Sequence, residues 1–196
     1  MTGLAVPAGG APRGHAAPVP SSVLGMVLVV CVEVMFFAGL ISAFTISRAG
    51  ARPGVWQPPT SPLLPVEATA VNTAILLASG LLLGLAHRAY RRGRTSSSAL
   101  LGASWLLGAA FVMLQGREWM GLLAEGLTLR SSPLGAFFYL IVGAHALHAV
   151  LALGVLAACW RRLSQGRLTS PLFLAAQTFW YFVVGMWPVI YGRVYF

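Results

Sequence analysis

The sequence predicts an all-α integral membrane protein, a bundle of five transmembrane helices with a cytoplasmic N-terminus and a periplasmic C-terminus. Composition is the first indication, because hydrophobic residues make up 58% of the chain, charged residues only 9%, and the mean hydropathy is +0.80. The second is a series of five apolar stretches, each long enough to cross a bilayer. The third is the arginines, which crowd between alternate stretches.

The predicted helices are separated by connections of unequal length and preceded by a segment of different composition. They cover about 22–46, 67–87, 99–120, 133–160 and 171–194. Residues 1–21 are rich in Gly, Pro and Ala and lack the organisation of a cleavable signal peptide, which predicts a flexible tail ahead of one domain at 22–196. The connection 47–66 contains five prolines, so it is predicted to be an extended crossing loop with Trp56 as an interfacial anchor.

The distribution of arginine sets the predicted orientation. The second connection carries four arginines and the fourth carries three, which are Arg88, Arg91, Arg92, Arg94, Arg161, Arg162 and Arg167. The first connection carries two and the third carries one. Because cytoplasmic connections collect positive charge, the second and fourth are predicted to face the cytoplasm. Arg91 and Arg92 are candidates for contact with lipid or a partner.

The charge distribution argues against nucleic-acid binding, and the cysteine spacing argues against a cysteine metal site or a structural disulfide. The net charge of +9 does not indicate nucleic-acid binding, because a nucleic-acid reader needs a clustered basic face on a soluble module. Cys31 and Cys159 lie in different apolar spans and lack metal-ligand spacing. We interpret them as small buried apolar side chains.

Glu33 is the most informative single residue, because it is one of only four acidic residues and lies inside the first apolar span. It lies about 17 Å from the cytoplasmic end of that span, at 1.5 Å per residue. A carboxylate at that depth costs several kcal/mol unless it is protonated, paired or hydrogen-bonded. A partner is therefore expected.

His145 and His148 share one face of the fourth span at a depth close to that of Glu33. They could supply two metal ligands, but a metal site would need others, and Glu33 is the one candidate at that depth. A haem would need histidines on opposing helices. We favour hydrogen bonds across the bundle or to a partner subunit, and the ligand interpretation remains an alternative.

Two further groups of polar and aromatic residues stand out. Gln115 and Glu118 share a face at the end of the third span, where an ordinary polar helix end with Trp119 as its aromatic anchor is an adequate explanation. Tyr181 lies at the midplane of the fifth span, and a buried phenol needs a partner. We expect Glu33 to be protonated and hydrogen-bonded to Tyr181 or to a midplane histidine. The remaining candidates for lipid or interface contact are Trp180 and Trp187.

The chain offers no nucleophile–base pair, phosphate-binding glycine loop or complete metal motif. No catalytic residue and no metal site is therefore predicted, and catalysis by this chain alone is not expected.

Four motifs, taken in order, resemble subunit III of the haem-copper oxidases. Glu33 with Phe36 and Phe37 resembles that family's Ser-Glu-x-x-Phe-Phe helix, with Val32 in place of Ser. Trp56-Gln-Pro-Pro followed by Asn72-Thr73 resembles its Pro-rich segment and Asn-Thr helix. Gln115-x-x-Glu118-Trp119 resembles its Gln-x-x-Glu-aromatic motif. Phe137-Phe138 with Gly143-x-His145-x-x-His148 resembles the family's Phe-Phe and Gly-x-His-Gly-x-His run.

The resemblance implies a cofactor-free accessory subunit of a terminal cytochrome c or quinol oxidase, which is not catalytic by itself. Such a subunit packs on oxidase subunit I, stabilises the oxygen-reducing and proton-pumping complex, supports proton uptake and binds phospholipid. Haem and copper belong to the partner subunits. Further partners in a respiratory complex or supercomplex are implied, as is the inner membrane of a bacterium, since bacterial members with five helices lack the first two of the seven-helix form.

The last span departs from the family pattern. The family reads Trp-His-Phe-Val-Asp-x-x-Trp, and here Tyr181 stands at the His position and Val184 at the Asp position. This favours a divergent branch, such as a supercomplex-associated oxidase or a relative associated with nitric oxide reductase. The alternatives are a haem- or quinol-binding redox subunit using His145 and His148, and a proton-coupled transporter built around Glu33. The absence of an internal repeat argues against the transporter.

Overall fold

The computed structural model describes residues 20–52, 54–59 and 62–196, and these residues form five α-helices. The helices are α1 (Ser21–Gly50), α2 (Val66–Arg91), α3 (Ser96–Ala124), α4 (Pro133–Ser164) and α5 (Ser170–Val194). All five are long and apolar enough to cross a membrane. The predicted five-helix, all-α class is confirmed. The predicted tail at 1–21 lies outside the described residues up to residue 19, and Ser21 begins α1.

The helix ends follow from local residue chemistry. Ser132 caps α4, since its hydroxyl accepts a hydrogen bond from the backbone N–H of Gly135 at 3.1 Å, and Pro133 occupies the first helical position. Gly93, Gly126 and Gly166 follow α2, α3 and α4 with positive φ angles, the conformation that lets a chain leave a helix without steric cost.

The helices α2, α3, α4 and α5 form a closed ring in which each contacts its two neighbours, and α1 packs outside it against α5 and α4. The apolar span of α5 is 61% buried, whereas that of α1 is only 6% buried. The ring therefore supplies the core, and most of the α1 surface faces outward. On the end that carries the arginine-rich connections, the Tyr90 hydroxyl donates to the Leu168 carbonyl at 2.6 Å and joins α2 to the α4–α5 connection.

Trp180 and Trp187 are fully buried in this ring, which corrects their assignment as lipid or interface candidates. The indole N–H of Trp180 donates to Ser79 Oγ at 3.1 Å, and that of Trp187 donates to Thr73 Oγ1 at 2.9 Å. A Cβ at Gly108 would lie 2.6 Å from the Trp180 ring. Both tryptophans point inward because α2 presents a hydroxyl acceptor at the height of each indole N–H. Gly108 of α3 in addition leaves room for the Trp180 ring.

The long connection between α1 and α2 is fixed to the bundle by Trp56. Its ring packs against Phe44 of α1 and Phe137 of α4, with ring centroids 5.2 and 6.0 Å away. Its carbonyl accepts from the Leu134 N–H at 3.3 Å. Trp56 is half-buried in this position, and its role as an interfacial anchor remains a prediction.

Candidate functional site

Glu33 of α1 and His148 of α4 form an ion-pairing contact between the outer helix and the ring, near the midpoints of the two helices. Glu33 Oε2 lies 3.0 Å from His148 Nε2, with side-chain exposures of 26% and 13%. His148 Nδ1 lies 2.7 Å from the Ala144 carbonyl, which can only accept, so Nδ1 carries a hydrogen. Nε2 therefore either accepts from a protonated Glu33 or, when protonated itself, donates to the carboxylate. One proton is shared by the pair in both cases, and neither form leaves an isolated charge in the membrane.

Aromatic rings surround this pair. Phe37 of α1 lies 5.5 Å from the His148 ring, and Phe182 and Phe179 of α5 lie 5.8 and 6.4 Å from it. These rings from α1 and α5 limit the rotation of the imidazole on α4, so its hydrogen-bonding direction toward Glu33 is maintained. Of the two partners expected for Glu33, the structure supplies the midplane histidine. Protonation of Glu33 stays a prediction.

His145 has a different environment from His148, although both project from α4. It is almost completely buried, its ring lies 5.2 Å from that of Trp187, and neither ring nitrogen has a hydrogen-bond partner among the described residues. It lines a cavity of about 100 Å³ together with Gln115 and Trp119. His145 and His148 thus do not act as a pair.

Glu118 is the centre of a buried hydrogen-bond cluster near the C-terminal end of α3. Asn72 Nδ2 donates to Oε1 at 2.7 Å, while Thr69 Oγ1 and Gln115 Nε2 each lie 2.9 Å from Oε2. Gln115 Nε2 also donates to the Tyr195 hydroxyl at 3.2 Å. This cluster, formed by Thr69, Asn72, Gln115, Glu118 and Tyr195, joins α2, α3 and the end of α5. Glu118 is therefore more than a polar helix end.

Tyr181 does not contact Glu33, contrary to one of the two expected pairings. The Tyr181 hydroxyl accepts from Gln177 Nε2 at 2.8 Å, and Gln177 Oε1 contacts His87 Nδ1 of α2. The residue is 43% exposed on the α2 side of α5. The expectation of a buried phenol was wrong, because the orientation of α5 turns Tyr181 away from α1.

The other interface candidates occupy half-buried or exposed positions. Trp119 is half-buried, and its ring lies 6.4 Å from that of Tyr139. Arg91 and Arg92 are exposed at the end of α2. Their contacts with lipid or a partner stay predictions.

Two features of the site were not predicted from the sequence, although a signal for one of them was present. Thr69, Asn72, Thr73 and Ser79 recur at helical spacing along α2, which is the pattern of a polar stripe facing the bundle interior. The link between His87 and Gln177 had no comparable signal, since each is a single polar residue in a different span.

Within the described part of the chain, no group of three or more His, Cys, Asp or Glu residues is placed to hold a metal ion. Cys31 is exposed on α1, whereas Cys159 is buried in α4. Only Cys159 therefore has the buried position that was expected for both.

Fold and site together define a multi-pass helical membrane protein whose polar groups pair with one another across helices. Residues 11–196 match the family model for cytochrome c oxidase subunit III. The chain is 34% identical over 194 residues to cytochrome c oxidase subunit 3 of Oryctolagus cuniculus, a match covering 93% of this chain and 73% of that protein. It is 35% identical over 191 residues to the Latimeria chalumnae protein of the same name, covering 92% and 72%.

The chain belongs to the cytochrome c oxidase subunit III family, as the four motifs indicated. As a subunit of that oxidase it is part of a respiratory electron-transport complex with other oxidase subunits.

Proposed function

We propose that this chain is a cofactor-free accessory subunit that packs on subunit I of a terminal haem-copper oxidase and stabilises the oxygen-reducing, proton-pumping complex. Membership of the subunit III family carries this proposal. In this role the chain supports proton uptake, binds phospholipid and leaves haem and copper to its partners. Its place in a larger supercomplex and its electron donor, cytochrome c or quinol, belong to the same proposal.

The contacts of the two midplane histidines support a role without a haem or a quinol. Both nitrogens of His148 are engaged, one by Glu33 and one by the Ala144 carbonyl. His145 lines a cavity of about 100 Å³, well below the roughly 300–1,000 Å³ of typical cofactor pockets. A haem at His145 would have to displace the surrounding helices, which counts against the redox-subunit alternative.

The outward face of α1 supports assembly with neighbours. Val32, Met35 and Phe36 are exposed large apolar side chains beside Glu33. Among the described helices, α1 contacts α4 and α5, and the rest of its surface is available to a partner within the membrane. The Glu33–His148 pair, which is only partly exposed, would then become fully enclosed in the complex, and the pair's lack of net charge favours that burial.

Orientation and location are part of the proposal. The arginine-rich connections lie at one end of the bundle, and the positive-inside rule places that end in the cytoplasm. The cytoplasmic membrane of a bacterium fits the five-helix organisation, whereas the relatives named above are vertebrate proteins.

The experiment compares oxidase complexes purified with and without this chain from the same membranes. We expect the complex without the chain to begin oxygen reduction at a similar rate and to lose activity after fewer turnovers. Adding back the purified chain should restore the longer lifetime. Equal lifetimes, or the absence of oxidase subunits from preparations purified through a tag on this chain, would contradict the proposal.

A second candidate is an accessory subunit of a nitric oxide reductase, favoured by the replacement of the family's His and Asp by Tyr181 and Val184. The same tagged preparation separates the two candidates. An oxidase subunit predicts sustained oxygen consumption by the complex, and a reductase subunit predicts nitric oxide consumption instead.

A further inference from the structure

The unsatisfied polar groups of the bundle are gathered around one cavity. Within the described part of the chain, four buried side-chain atoms have no hydrogen-bond partner: both ring nitrogens of His145, Gln115 Oε1 and the indole nitrogen of Trp119. All three residues line the same cavity of about 100 Å³ between α3 and α4. A buried polar atom without a partner costs free energy, and such atoms are few in a native protein. Their convergence on one cavity indicates a common partner inside it.

The cavity exists because α3 and α4 contribute small residues to its wall. These are Gly116 of α3 and Ala146 and Ala149 of α4. A Cβ at Gly116 would meet no neighbouring side chain within 4 Å. Trp187 of α5 forms a further part of the wall and is fixed by its own hydrogen bond to Thr73, so its ring does not turn into the space.

The amide of Gln115 turns its oxygen toward the cavity because its nitrogen is already used. Gln115 Nε2 lies 2.9 Å from Glu118 Oε2 and 3.2 Å from the Tyr195 hydroxyl, and neither of these residues lines the cavity. Gln115 therefore offers the cavity only an acceptor, whereas the indole of Trp119 offers only a donor.

The donors and acceptors around the cavity are matched in number. A neutral imidazole at His145 has one N–H group and one nitrogen that accepts, so the four atoms comprise two donors and two acceptors. A water between Trp119 and the accepting nitrogen of His145 would accept from the first and donate to the second. Another water would join the N–H of His145 to Gln115 Oε1 in the same way. A water takes up about 30 Å³ in the liquid, so the cavity has room for about three.

We propose that this cavity binds a cluster of about two or three ordered water molecules, which joins His145 to Gln115 and Trp119. The cluster extends the hydrogen bonds around Glu118, which link α2, α3 and the end of α5, to the middle of α4. An apolar occupant would leave all four atoms unsatisfied. The inference goes beyond the proposed function, since it concerns the helices of this chain and does not depend on the partner subunits.

The first test is a cryo-electron microscopy map of the purified oxidase complex at a resolution that shows ordered waters. We expect about two or three peaks in the cavity, each about 2.7–3.2 Å from at least one of the four atoms. Trp119→Phe should remove the water that bridges positions 119 and 145. Trp105→Phe is the matched control on the same helix, because the Trp105 indole already donates to the Leu153 carbonyl at 3.0 Å. It should leave every water in place.

The second test is a double-variant cycle on the melting temperature of the full-length chain in detergent. His145→Leu and Trp119→Phe each remove one side of a water bridge, so the double variant should melt about 2–4 °C above the value given by adding the two single losses. The cycle of His145→Leu with Trp105→Phe should be additive. The map does not depend on these variants, so it tests the site even where a variant fails to fold.

Three results would overturn the site. One is a map that shows surrounding waters and none in the cavity, or an acyl chain or a partner side chain filling it. Another is a xenon atom at this position in xenon-pressurised crystals of the complex, which would indicate a dry, apolar cavity. The third is strict additivity of His145→Leu with Trp119→Phe. Co-purification with the oxidase is independent of all three, so failure of the site is distinguishable from failure of the proposed function.

Discussion

Glu33 Oε2 on α1 lies 3.0 Å from His148 Nε2 on α4, and this contact joins the outermost helix to the ring of four. The imidazole is itself held by the Ala144 carbonyl and by Phe37. A carboxyl group that would be costly alone in the membrane is thereby matched to a fixed partner. The pair stabilises the position of α1 and needs no metal or cofactor to do so.

Replacing Glu33 with Leu should destabilise the complex, because His148 Nε2 is left without its partner. Loss of the partner of a buried polar group costs about 1–3 kcal/mol. The measurement is the thermal inactivation temperature of the purified oxidase. Glu33→Gln should lose less, since the amide can still donate to Nε2.

The double variant Glu33→Leu/His148→Leu provides the control for that pair. Removing both partners should recover a large part of the stability lost in Glu33→Leu, because no polar group remains unsatisfied. Strictly additive losses would show that the two side chains do not interact.

Replacing Glu118 with Leu should lower the free energy of unfolding by about 2–4 kcal/mol, because Asn72 and Gln115 lose their acceptor. Glu118→Gln should have a smaller effect, since one carbonyl acceptor is kept. Denaturant titration in detergent followed by tryptophan fluorescence measures the change. Glu125→Leu is the matched control, since Glu125 is exposed and directly follows the same helix, and a loss as large as that of Glu118→Leu would contradict the buried cluster.

Replacing Gly108 with Ala should cost about 1–3 kcal/mol, although alanine is the better helix former, because the new methyl would lie 2.6 Å from the Trp180 ring. The change is measured as the shift in melting temperature of the detergent-purified protein. Gly154→Ala is the control, since Gly154 has open space around its Cβ position and should be neutral or slightly stabilising. A neutral Gly108→Ala would mean that α3 and α5 are farther apart.

Single cysteines should report the proposed orientation. In a background carrying Cys31→Ser and Cys159→Ser, Arg94→Cys lies in the α2–α3 connection and Arg130→Cys in the α3–α4 connection. A membrane-impermeant maleimide applied to cells whose inner membrane is accessible and intact should label Arg130→Cys at once and Arg94→Cys only after lysis. The reverse order would place the N-terminus outside the cytoplasm.

The sequence was sufficient to predict the five helices, because long apolar stretches have few alternatives to a transmembrane helix. It was also sufficient to predict a histidine as one candidate partner of Glu33, because depth can be counted along a helix. It was insufficient to predict which side chains of α5 face the bundle interior. That helix is apolar on nearly every side, so its rotation cannot be read from periodicity, and Trp180, Tyr181 and Trp187 were misplaced for that reason. The polar stripe on α2 was readable, whereas its contact with Glu118 depends on how two helices pack.

In the proposed role the chain carries no redox cofactor and acts within an oxidase whose partner subunits hold the haem. The most direct measurement is the reduced-minus-oxidised absorption spectrum of the tagged complex, repeated after this chain has been dissociated and separated from it. We predict haem bands in the complex and in the partner fraction, with none in this chain. A Soret band of about one haem per chain in the isolated protein would show that this chain binds haem itself and would contradict the proposed cofactor-free role.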